Sequence, residues 1–470
     1  MRFLFYSHDG LGLGHTRRNL AIAAALTELA PEASVLLATG ADYVARLGLP
    51  HQVDILKLPG LRKIANGQYC ARHLNLPVPE IRELRSEMLT TTVKTYFPSV
   101  VLVDKHPFGA SGEFRNGLEE LRKQGGRAAL GLRDILDEPG FVLEEWRPMR
   151  MQHRIAAYYD EVLIYGQRAI FDASTAYEFP PAMAERTRFC GYVENMESDA
   201  DLTDMKVPFP SREDRVRPVV LATTGGGEDG FAVLESFIRA AAGAPWQGVV
   251  ISGPMTPDPQ AATIKRLAEE NGVIVRKFIP HLSALFWSVD ALVCMGGYNT
   301  LCEAVSKGVP TVCVPRTVPR TEQLMRANAF EKLGLLRTIR PEQLNIENLR
   351  AEITGALRQS RQDLLARSQK HLSFDGARQA ARRLLALAND RSLPAYGLAG
   401  ARALQTGTML MNGQPAMPRA IKSETERGVY AASSFDSIGS PTPTPTGNRA
   451  SIVKRAEDRA PVASPRHLPG

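Results

Sequence analysis

A glycine pair, a polar helix start and a glutamate follow one another in the segment from residue 291 to residue 329. Gly296 and Gly297 end the short apolar run 291–295, and the next residues are Tyr298, Asn299 and Thr300. The unpaired N–H groups and the positive dipole end of a helix that starts here would bind a phosphate. Glu303 follows on the first turn, displaced from these amides, where it would reach a sugar hydroxyl of the same ligand. These residue types in this order predict a nucleotide-binding site.

The elements around these residues fit an open parallel sheet. A second apolar run, 311–315, precedes a loop that carries Arg316 and Arg320, and Glu322 and Gln323 then begin another helix. Strand, glycine turn and polar helix start, followed by a further strand and helix start, are the layout of a nucleotide site in a doubly wound sheet. The sequence therefore predicts the α/β class.

A second glycine loop lies near the N-terminus, between a strand at residues 2–7 and a helix. Gly12 and Gly14 belong to this loop and His15 follows them, so a phosphate or sugar could approach the backbone closely. His15 would orient the acceptor or a donor phosphate, or act as a general base; the alternative is that it caps its own loop. Arg17 and Arg18 would reach a phosphate or face solvent from the helix.

Two apolar runs of the N-terminal half end in polar residues. The run 99–104 ends with Asp104, with His106 close behind, and the run 128–132 ends with Arg133. Ligands collect at the carboxyl ends of strands in open α/β sheets, so these residues are candidates for the acceptor side of a cleft. The alternative is a plain turn that Asp104 caps and that the next residues close.

The glycine loop TTGGGEDG satisfies the pattern G-x-G-x-x-G with Gly225, Gly227 and Gly230. A dinucleotide site also needs an acidic residue at the end of the next strand to hold the adenosine ribose. The next strand, 248–252, ends in Gly253-Pro254 instead. We therefore predict that this loop does not bind NAD.

The phrases GGYNTLCEAVSKGVP, PR and EQLMRANAFEKLG together resemble the donor-binding half of the GT-B glycosyltransferases. The resemblance is to the branch of the peptidoglycan N-acetylglucosaminyltransferases, which carry the glycosyltransferase family 28 C-terminal domain. It implies two Rossmann-like domains that face a cleft, and transfer of a sugar from a nucleotide-diphosphate sugar, with UDP as the expected nucleotide.

The same resemblance implies donor-site roles for individual residues. Gly296, Gly297 and the helix start would hold the diphosphate, with Arg316 near it. Glu303 would bind the ribose, and Glu322 and Gln323 would contact the transferred sugar. The loop amides facing the diphosphate from below would be those of Thr224, Gly225, Gly226 and Gly227. The backbone of Phe278 and Ile279 would lie beside the nucleobase.

The phrases VDKHPFG and LRDILDEP extend the resemblance to the N-terminal half, because they are similar to a group of predicted bacterial glycosyltransferases. In that setting the glycine loop ending in His15 lies across the cleft from the donor. The resemblance implies an acceptor side that includes Asp104, His106 and Arg133, but it does not supply the acceptor, which would be a sugar, a lipid-linked molecule or a small molecule.

The chain of 470 residues is long enough for more than one domain. We expect an N-terminal acceptor domain, a linker, a donor domain that closes with a helix on the first domain, and a disordered tail. Their boundaries are 1–195, 196–215, 216–390 and 391–470. The tail is rich in Pro, Ser, Thr and Gly and cannot bury enough apolar surface to fold. Within the donor domain, residues 361–387 are helical by period and GARQAARRLLALA is the final helix. Within the first domain, residues 62–79 read as irregular.

The composition favours a cytoplasmic protein, with peripheral contact at the inner membrane face as a further option. Its five cysteines contain no C-x-x-C pair, which is typical of reduced thiols, and no apolar run reaches the length of a membrane span. A net charge of +7 from 57 basic and 50 acidic residues is too mild to indicate a nucleic-acid partner.

No D-x-D motif lies in the predicted cleft segments, so we expect no metal and no cofactor beyond the nucleotide sugar. Backbone amides and arginines would then stabilise the leaving diphosphate. The relatives invert the anomeric centre, which the resemblance implies here as well. Two alternatives stay open: a sugar-nucleotide 2-epimerase on the same fold, which needs more acids and histidines in the cleft, and a non-enzymatic protein that binds a nucleotide sugar.

Overall fold

The computed structural model describes most of the chain up to residue 390. The described ranges are 1–7, 14–42, 44, 48–65, 68–194, 207–212, 214–279 and 281–390. Gly12, most of the expected linker and the whole expected tail lie outside them. Within the described ranges, no helix combines the length and the apolar character that crossing a bilayer would take.

The N-terminal half is built on a seven-stranded parallel sheet in the order β3-β2-β1-β6-β7-β8-β9. Its strands are β1 (Arg2–Tyr6), β2 (Ser34–Thr39), β3 (Val53–Lys57), β6 (Val100–Asp104), β7 (Arg127–Arg133), β8 (Glu161–Tyr165) and β9 (Thr187–Phe189). An antiparallel hairpin of β4 (Leu61–Ala65) and β5 (Gln68–Ala71) occupies the region expected to be irregular. The order of strands reverses between β1 and β6, so a crevice opens at their carboxyl ends.

Helices cover both faces of this sheet. They are α1 (Gly14–Leu29), α2 (Val78–Tyr96), α3 (Arg115–Lys123), α4 (Pro139–Trp146), α5 (Met151–Tyr158), α6 (Ala173–Ala176) and α7 (Pro181–Ala184). The strands β1, β6 and β8 are buried almost throughout, as expected for parallel strands covered on both sides.

The C-terminal half repeats this arrangement on a six-stranded parallel sheet in the order β12-β11-β10-β13-β14-β15. Its strands are β10 (Val219–Thr223), β11 (Gln247–Ile251), β12 (Ile274–Arg276), β13 (Ala291–Cys294), β14 (Thr311–Cys313) and β15 (Arg337–Thr338). The reversal falls between β10 and β13. The glycine loops that follow these two strands therefore meet at the carboxyl edge of the sheet.

The last helix of this half packs back on the first half. The helices are α8 (Phe231–Ala241), α9 (Asp258–Glu270), a 3-10 helix (Leu282–Trp287), α10 (Tyr298–Ser306), α11 (Glu322–Lys332), a 3-10 turn (Pro341–Gln343), α12 (Ile346–Leu357), α13 (Arg361–His371) and α14 (Gly376–Asn389). As expected from the sequence, the closing helix α14 packs on α1 of the N-terminal half.

The helical stretch predicted over 361–387 is interrupted at 372–375, where the chain crosses back to the first half, and the final helix begins at Gly376. There the Ser373 carbonyl accepts a hydrogen bond from the Tyr192 N–H (2.8 Å), and the Tyr192 carbonyl accepts one from Gly376 N–H (3.0 Å). A Cβ at Gly376 would lie 2.5 Å from the carbonyl oxygen of Gly191. Backbone hydrogen bonds thus join the segment around Tyr192, where the chain leaves the first half, to the segment 373–376, where it returns. A continuous helix would not allow these contacts.

The hydrophobic core runs without a break through this crossing. One apolar cluster joins residues of the first sheet to residues of the second, and α14 contributes Ala380 and Leu384 to it. Tyr192 sits at the junction, with its ring 6.1 Å from the ring of Tyr298 and 5.5 Å from that of Phe330, centroid to centroid. This packing sets the two carboxyl edges opposite each other.

Candidate active site

A cavity of about 380 Å³ lies where the carboxyl edges of the two sheets meet. The residues predicted from the sequence that line it are Gly14, His15, Arg17, Arg18, Arg133, Thr224, Gly225, Gly226, Gly227, Phe278, Ile279, Gly297, Tyr298, Asn299, Thr300, Glu303, Arg316, Glu322 and Gln323. Three other predicted residues, Gly296, Asp104 and His106, lie outside this lining, and Gly12 is not among the described residues. The structure thus gathers most of the candidates from both halves around one space.

The glycines at the rim allow segments to pack closely. Gly227 has a φ of 91°, and a Cβ there would lie 2.3 Å from Thr256 Oγ1 and 2.5 Å from the Ser252 carbonyl oxygen. Gly296 has a φ of 82°, and its Cβ would meet the Gln323 carbonyl oxygen at 3.3 Å. Gly296 therefore allows the start of α11 to pack against the end of β13. Gly227 is needed for close packing of its loop, so the G-x-G-x-x-G pattern does not require a bound dinucleotide to explain it.

Two helix N-termini face each other across the cavity. The Asn299 Nδ2 at the start of α10 donates a hydrogen bond to the Gly14 carbonyl at the start of α1, over 3.3 Å. Neither helix carries an acidic residue in its first turn. The prediction that Glu303 lies on the first turn is therefore wrong: it lies on the next turn of α10. Because the positive end of each helix dipole points to the same region, this part of the cavity suits an anionic group.

The side chain of Tyr298 joins the two halves. It is buried, its hydroxyl oxygen accepts a hydrogen bond from the Val193 N–H over 2.8 Å, and burial raises its pKa well above the usual value. The guanidinium carbons of Arg18 and Arg326 each lie 5.5 Å from the centre of its ring. The Tyr298 phenol is thus a structural group, and its backbone N–H, at the first position of α10, is the group left for a ligand to contact.

The acid/amide pair at the start of α11 is held by Arg316. Arg316 Nη2 donates to Glu322 Oε1 over 2.8 Å, and the Arg316 backbone N–H donates to Gln323 Oε1 over 3.0 Å. Arg316 Nη1 also donates to Asp229 Oδ2 over 2.9 Å, which ties this group to the glycine loop. Burial raises the pKa of Glu322, but Arg133, Arg316 and Arg326 outweigh this effect and lower it, so Glu322 is a carboxylate.

His15 and Asp104 form a pair at the crevice of the first sheet. His15 follows β1 and Asp104 ends β6, and 2.5 Å separates His15 Nδ1 from Asp104 Oδ2. Arg18 Nη2 donates to both oxygens of Asp104, at 2.8 and 3.0 Å. Burial raises the pKa of Asp104, but Arg18 and His15 lower it far below its usual value, so Asp104 is ionised. The carboxylate accepts the Nδ1 proton of His15, which leaves Nε2 as the basic nitrogen of the ring.

The imidazole of His15 is neutral at physiological pH. Burial lowers its pKa to about 4, and the positive charges of Arg18 and Lys105 act in the same direction, while Asp104 opposes them. A neutral imidazole that lines a cavity and is oriented by a carboxylate has the geometry of a general base.

His106 lies behind the lining, beside Tyr69. Its Nε2 is 3.5 Å from the Tyr69 hydroxyl, and burial lowers its pKa well below the usual value. Tyr69 from the β4–β5 hairpin and Lys105, which has a φ of 69°, both line the cavity and were not predicted. Lys105 lies between Asp104 and His106, which were both candidates, so its position in the sequence could have indicated a place in the site. No comparable pattern surrounds Tyr69.

Two aspartates of the phrase LRDILDEP tie the halves together. Asp134 receives two hydrogen bonds from Arg326, at 2.8 and 2.6 Å, and both residues are buried. Asp137 accepts the backbone N–H of Thr321 over 2.9 Å, and its carboxylate lies 3.5 Å from Arg320. Sequence reasoning missed these contacts, although the density of acidic residues in the phrase was visible.

Across the described ranges, no group of three or more His, Cys, Asp or Glu side chains is placed to hold a metal ion. The absence of a metal requirement stays a prediction.

Comparison with known proteins finds a family model that matches part of the C-terminal half. Residues 225–384 match the model of the glycosyltransferase family 28 C-terminal domain. The chain is 30% identical over 182 residues to a UDP-N-acetylglucosamine--N-acetylmuramyl-(pentapeptide) pyrophosphoryl-undecaprenol N-acetylglucosamine transferase of Geobacillus kaustophilus, covering 38% of this chain and 48% of that protein. It is 27% identical over 184 residues to the NDP-glycosyltransferase YjiC of Bacillus subtilis, covering 38% and 44%. The aligned region spans about half the length of these curated relatives.

The fold of the whole described chain is that of the GT-B enzymes. The crystal structure of Acinetobacter baumannii MurG superposes with a TM-score of 0.53 at 14% identity, covering 82% of this chain and all (100%) of that one. The prediction of a two-sheet α/β architecture of the GT-B type is confirmed. The chain therefore has the GT-B fold of the glycosyltransferases, and its residues 225–384 match the model of the glycosyltransferase family 28 C-terminal domain.

Proposed function

We propose that this protein is a glycosyltransferase that moves a sugar from a nucleotide-diphosphate sugar to an acceptor hydroxyl. One observation carries the proposal. The region that matches the family 28 model lines the cavity with its glycine loops, the start of α10 and the Glu322–Gln323 pair, and His15, held by Asp104, lines the same cavity from the first half. A donor and an acceptor would thus meet between a phosphate-binding surface and a base.

The donor would lie along the second sheet. Its nucleobase would contact the backbone of Phe278 and Ile279, Glu303 would bind the ribose, and the diphosphate would lie at the facing helix N-termini. UDP is the nucleotide that the names of the relatives favour, since three of the curated relatives are named as UDP-N-acetylglucosamine transferases. Glu322 and Gln323 would contact the sugar, with Gln323 offering its Nε2 because its Oε1 is engaged by the Arg316 N–H.

The reaction is a displacement at the anomeric carbon. The acceptor hydroxyl oxygen bonds to this carbon while the bond from the carbon to the β-phosphate oxygen breaks, and the hydroxyl proton passes to Nε2 of His15. Asp104 stabilises the imidazolium that forms, and the helix N-termini stabilise the leaving diphosphate. Attack from the face opposite the leaving group inverts the anomeric centre, as we propose here. No step in this scheme calls for a metal.

The acceptor is a sugar, a lipid-linked molecule or a small molecule with a free hydroxyl. A cytoplasmic location, with peripheral contact at the inner membrane face for a lipid-linked acceptor, remains part of the proposal.

Thermal unfolding of the full chain with UDP, GDP, dTDP, ADP and NAD tests the donor site. A ligand at a hundred times its dissociation constant adds about 2.7 kcal/mol to the free energy of unfolding. We expect one nucleoside diphosphate to stabilise the parent protein and Glu303→Ala to lose most of that gain. The control is Glu235→Ala, which removes a carboxylate of α8 that pairs with Arg239 outside the cavity.

Stabilisation by NAD alone, or equal stabilisation of parent and Glu303→Ala, would overturn the proposal. Product analysis with the nucleotide sugar then separates the remaining activities. A transferase releases the nucleoside diphosphate when an acceptor is present. A 2-epimerase inverts C2 of the sugar and yields a product that is still a nucleotide sugar. A binding protein leaves the nucleotide sugar unchanged.

A further inference from the structure

Three buried polar atoms around one part of the cavity have no hydrogen-bond partner among the described residues. They are Arg133 Nε, Arg316 Nε and Glu322 Oε2, and all three side chains line the cavity. A buried donor or acceptor without a partner is costly, and a native protein rarely leaves several of them together without a ligand to satisfy them. This cluster therefore marks a polar subsite.

Arg133 enters this subsite from the first half of the molecule, at the end of β7. Within the part of the chain that the structure describes, it forms no ion pair, so its nitrogens lie more than 4.0 Å from the Glu322 carboxylate on the other side. The two charges nevertheless affect each other. Burial lowers the pKa of Arg133, and Glu322 is the charge that raises it most; Arg133 is in turn the charge that lowers the pKa of Glu322 most. They are close, but a gap separates them.

The gap is held open by the neighbours of both residues. Arg316 fixes Glu322 through its other carboxylate oxygen, Oε1, over 2.8 Å. Asp134, the residue after Arg133, is fixed by two hydrogen bonds from Arg326. The Glu322 side chain and the residue next to Arg133 are thus each held by another arginine, so Arg133 and Glu322 stay apart, and we place one ligand atom between them.

The chemistry of the two atoms restricts the ligand group. Arg133 Nε–H donates and Glu322 Oε2 accepts, so a group that bridges them must accept one hydrogen bond and donate another. A hydroxyl does both. A carboxylate or phosphate oxygen only accepts, and Glu322 would repel it.

We propose that Arg133 is a specificity-determining residue for the donor sugar, which together with Glu322 binds one hydroxyl of a neutral sugar. This inference rests on the proposed function, and it moves Arg133 from the acceptor side, where the sequence placed it, to the donor. The sugar subsite is then completed by a residue of the N-terminal half, so the two halves together select the sugar.

Isothermal titration of the full chain tests this assignment. The nucleotide is the one found by thermal unfolding; for UDP the titrants are UDP alone, UDP-glucose, UDP-N-acetylglucosamine and, as an anionic counterpart, UDP-glucuronate. The variants are Arg133→Gln and Glu322→Gln. The matched control is Arg147→Gln, which removes an exposed guanidinium paired with Glu178 away from the cavity.

We expect the parent protein to bind a neutral UDP-sugar more tightly than UDP. Arg133→Gln should weaken the binding of that UDP-sugar about tenfold to a hundredfold, the usual range for a lost hydrogen bond to a charged group, and change the affinity for UDP by less than about twofold. Glu322→Gln should act in the same direction, and Arg147→Gln should match the parent.

Equal losses for UDP and the UDP-sugar in Arg133→Gln would make Arg133 a phosphate ligand and overturn the inference. So would unchanged binding, or tighter binding of UDP-glucuronate than of UDP-glucose. If Arg133→Gln does not fold, Arg133→Lys carries the test, because it keeps the charge but not the Nε donor. A parent protein that binds no nucleotide sugar at all would instead refute the proposed function, an outcome distinct from a bound donor that is insensitive to Arg133.

Discussion

At the scale of single residues, the contact between His15 and Asp104 determines which nitrogen of the His15 ring can accept a proton. The carboxylate fixes the imidazole with Nδ1 protonated, and the buried surroundings keep the ring neutral. His15 is therefore ready to accept a proton without first losing one. Asp104 in turn depends on Arg18, whose Nη2 donates to both carboxylate oxygens and lies 2.9 Å from His15 Nδ1.

The first prediction concerns the pH dependence of stability at His15. The pKa is 6.5 for an ordinary histidine and about 4 in the folded protein. As pH falls from 6.5 to 4, the unfolded chain takes up a proton at this residue and the folded chain does not, so the parent loses stability by up to about 1.4 kcal/mol per pH unit. His15→Gln lacks this loss, and urea unfolding of both proteins between pH 4 and 8 measures the difference.

Comparison at pH 8, where the imidazole is neutral in both states, shows whether His15→Gln still folds. Between pH 6.5 and 4 the stability of the parent should fall relative to the variant. A parent that gains stability relative to His15→Gln on acidification would mean that Asp104 holds an imidazolium in the folded state, and the role of His15 as a resting base would be withdrawn.

At the scale of elements, helix α11 begins without a cap of its own. Thr321 occupies the N-cap position but its side chain makes no cap hydrogen bond. The carboxylate of Asp137, from the N-terminal half, accepts the Thr321 N–H over 2.9 Å instead. A negative charge at this end also complements the helix dipole. The residues that follow, Glu322 and Gln323, are thus positioned by an acid from the opposite wall.

The second prediction is that Asp137→Ala loosens the start of α11. Loss of an N-cap carboxylate costs about 1 kcal/mol, with a range of about 0.5–2, so local opening should become roughly twofold to thirtyfold more frequent. Hydrogen–deuterium exchange of peptides covering residues 316–325 measures this. Asp172→Ala is the matched control, because Asp172 caps α6 by accepting the N–H groups of Ser174 and Thr175.

In Asp172→Ala the exchange of residues 316–325 should stay at the parent rate. Unchanged exchange in Asp137→Ala would show that the Asp137–Thr321 contact does not order the helix start. The cap would then lie elsewhere in the loop that carries Arg316 and Arg320.

These elements also show what the sequence could and could not predict. The spacing from Gly296 to Gln323 is local, so the two helix starts and their polar residues were predictable from glycine turns and apolar runs. The contact from Asp137 to Thr321 spans 184 positions, and nothing in the local pattern of either segment indicates it. The final helix was predicted from its sequence, but the break at 372–375 was not located within the helical stretch 361–387, because the Tyr192 contact that holds it is remote in sequence.

At the scale of the whole molecule, three kinds of contact hold the two sheets around the cavity. The chain crosses twice at adjacent segments, α14 returns to pack on α1, and a buried ion pair joins Asp134 to Arg326. The crossing and the helix lie behind the cavity, while Asp134 immediately follows the cavity-lining residue Arg133. The ion pair therefore couples the stability of the interface to the geometry of the candidate sugar subsite.

The third prediction tests that coupling through Asp134→Asn. Arg326 would keep its buried charge, which also lies near the Tyr298 ring and donates to the Gly296 carbonyl over 3.2 Å, but would lose its counter-ion. Removal of one partner of a buried ion pair costs about 3–5 kcal/mol, because the other charge stays buried without compensation. Urea unfolding of the full chain should show a loss of this size for Asp134→Asn.

The control is Glu178→Gln in the exposed Arg147–Glu178 pair, for which a surface ion pair predicts a loss of at most about 1 kcal/mol. The double variant Asp134→Leu with Arg326→Met should recover much of the loss, since it removes both buried charges together. A loss in Asp134→Asn no larger than in Glu178→Gln would mean that water reaches Arg326 in solution and that the halves separate at this edge. In that case Arg133 would not be held opposite Glu322, and the sugar subsite would form only when a donor draws the two edges together.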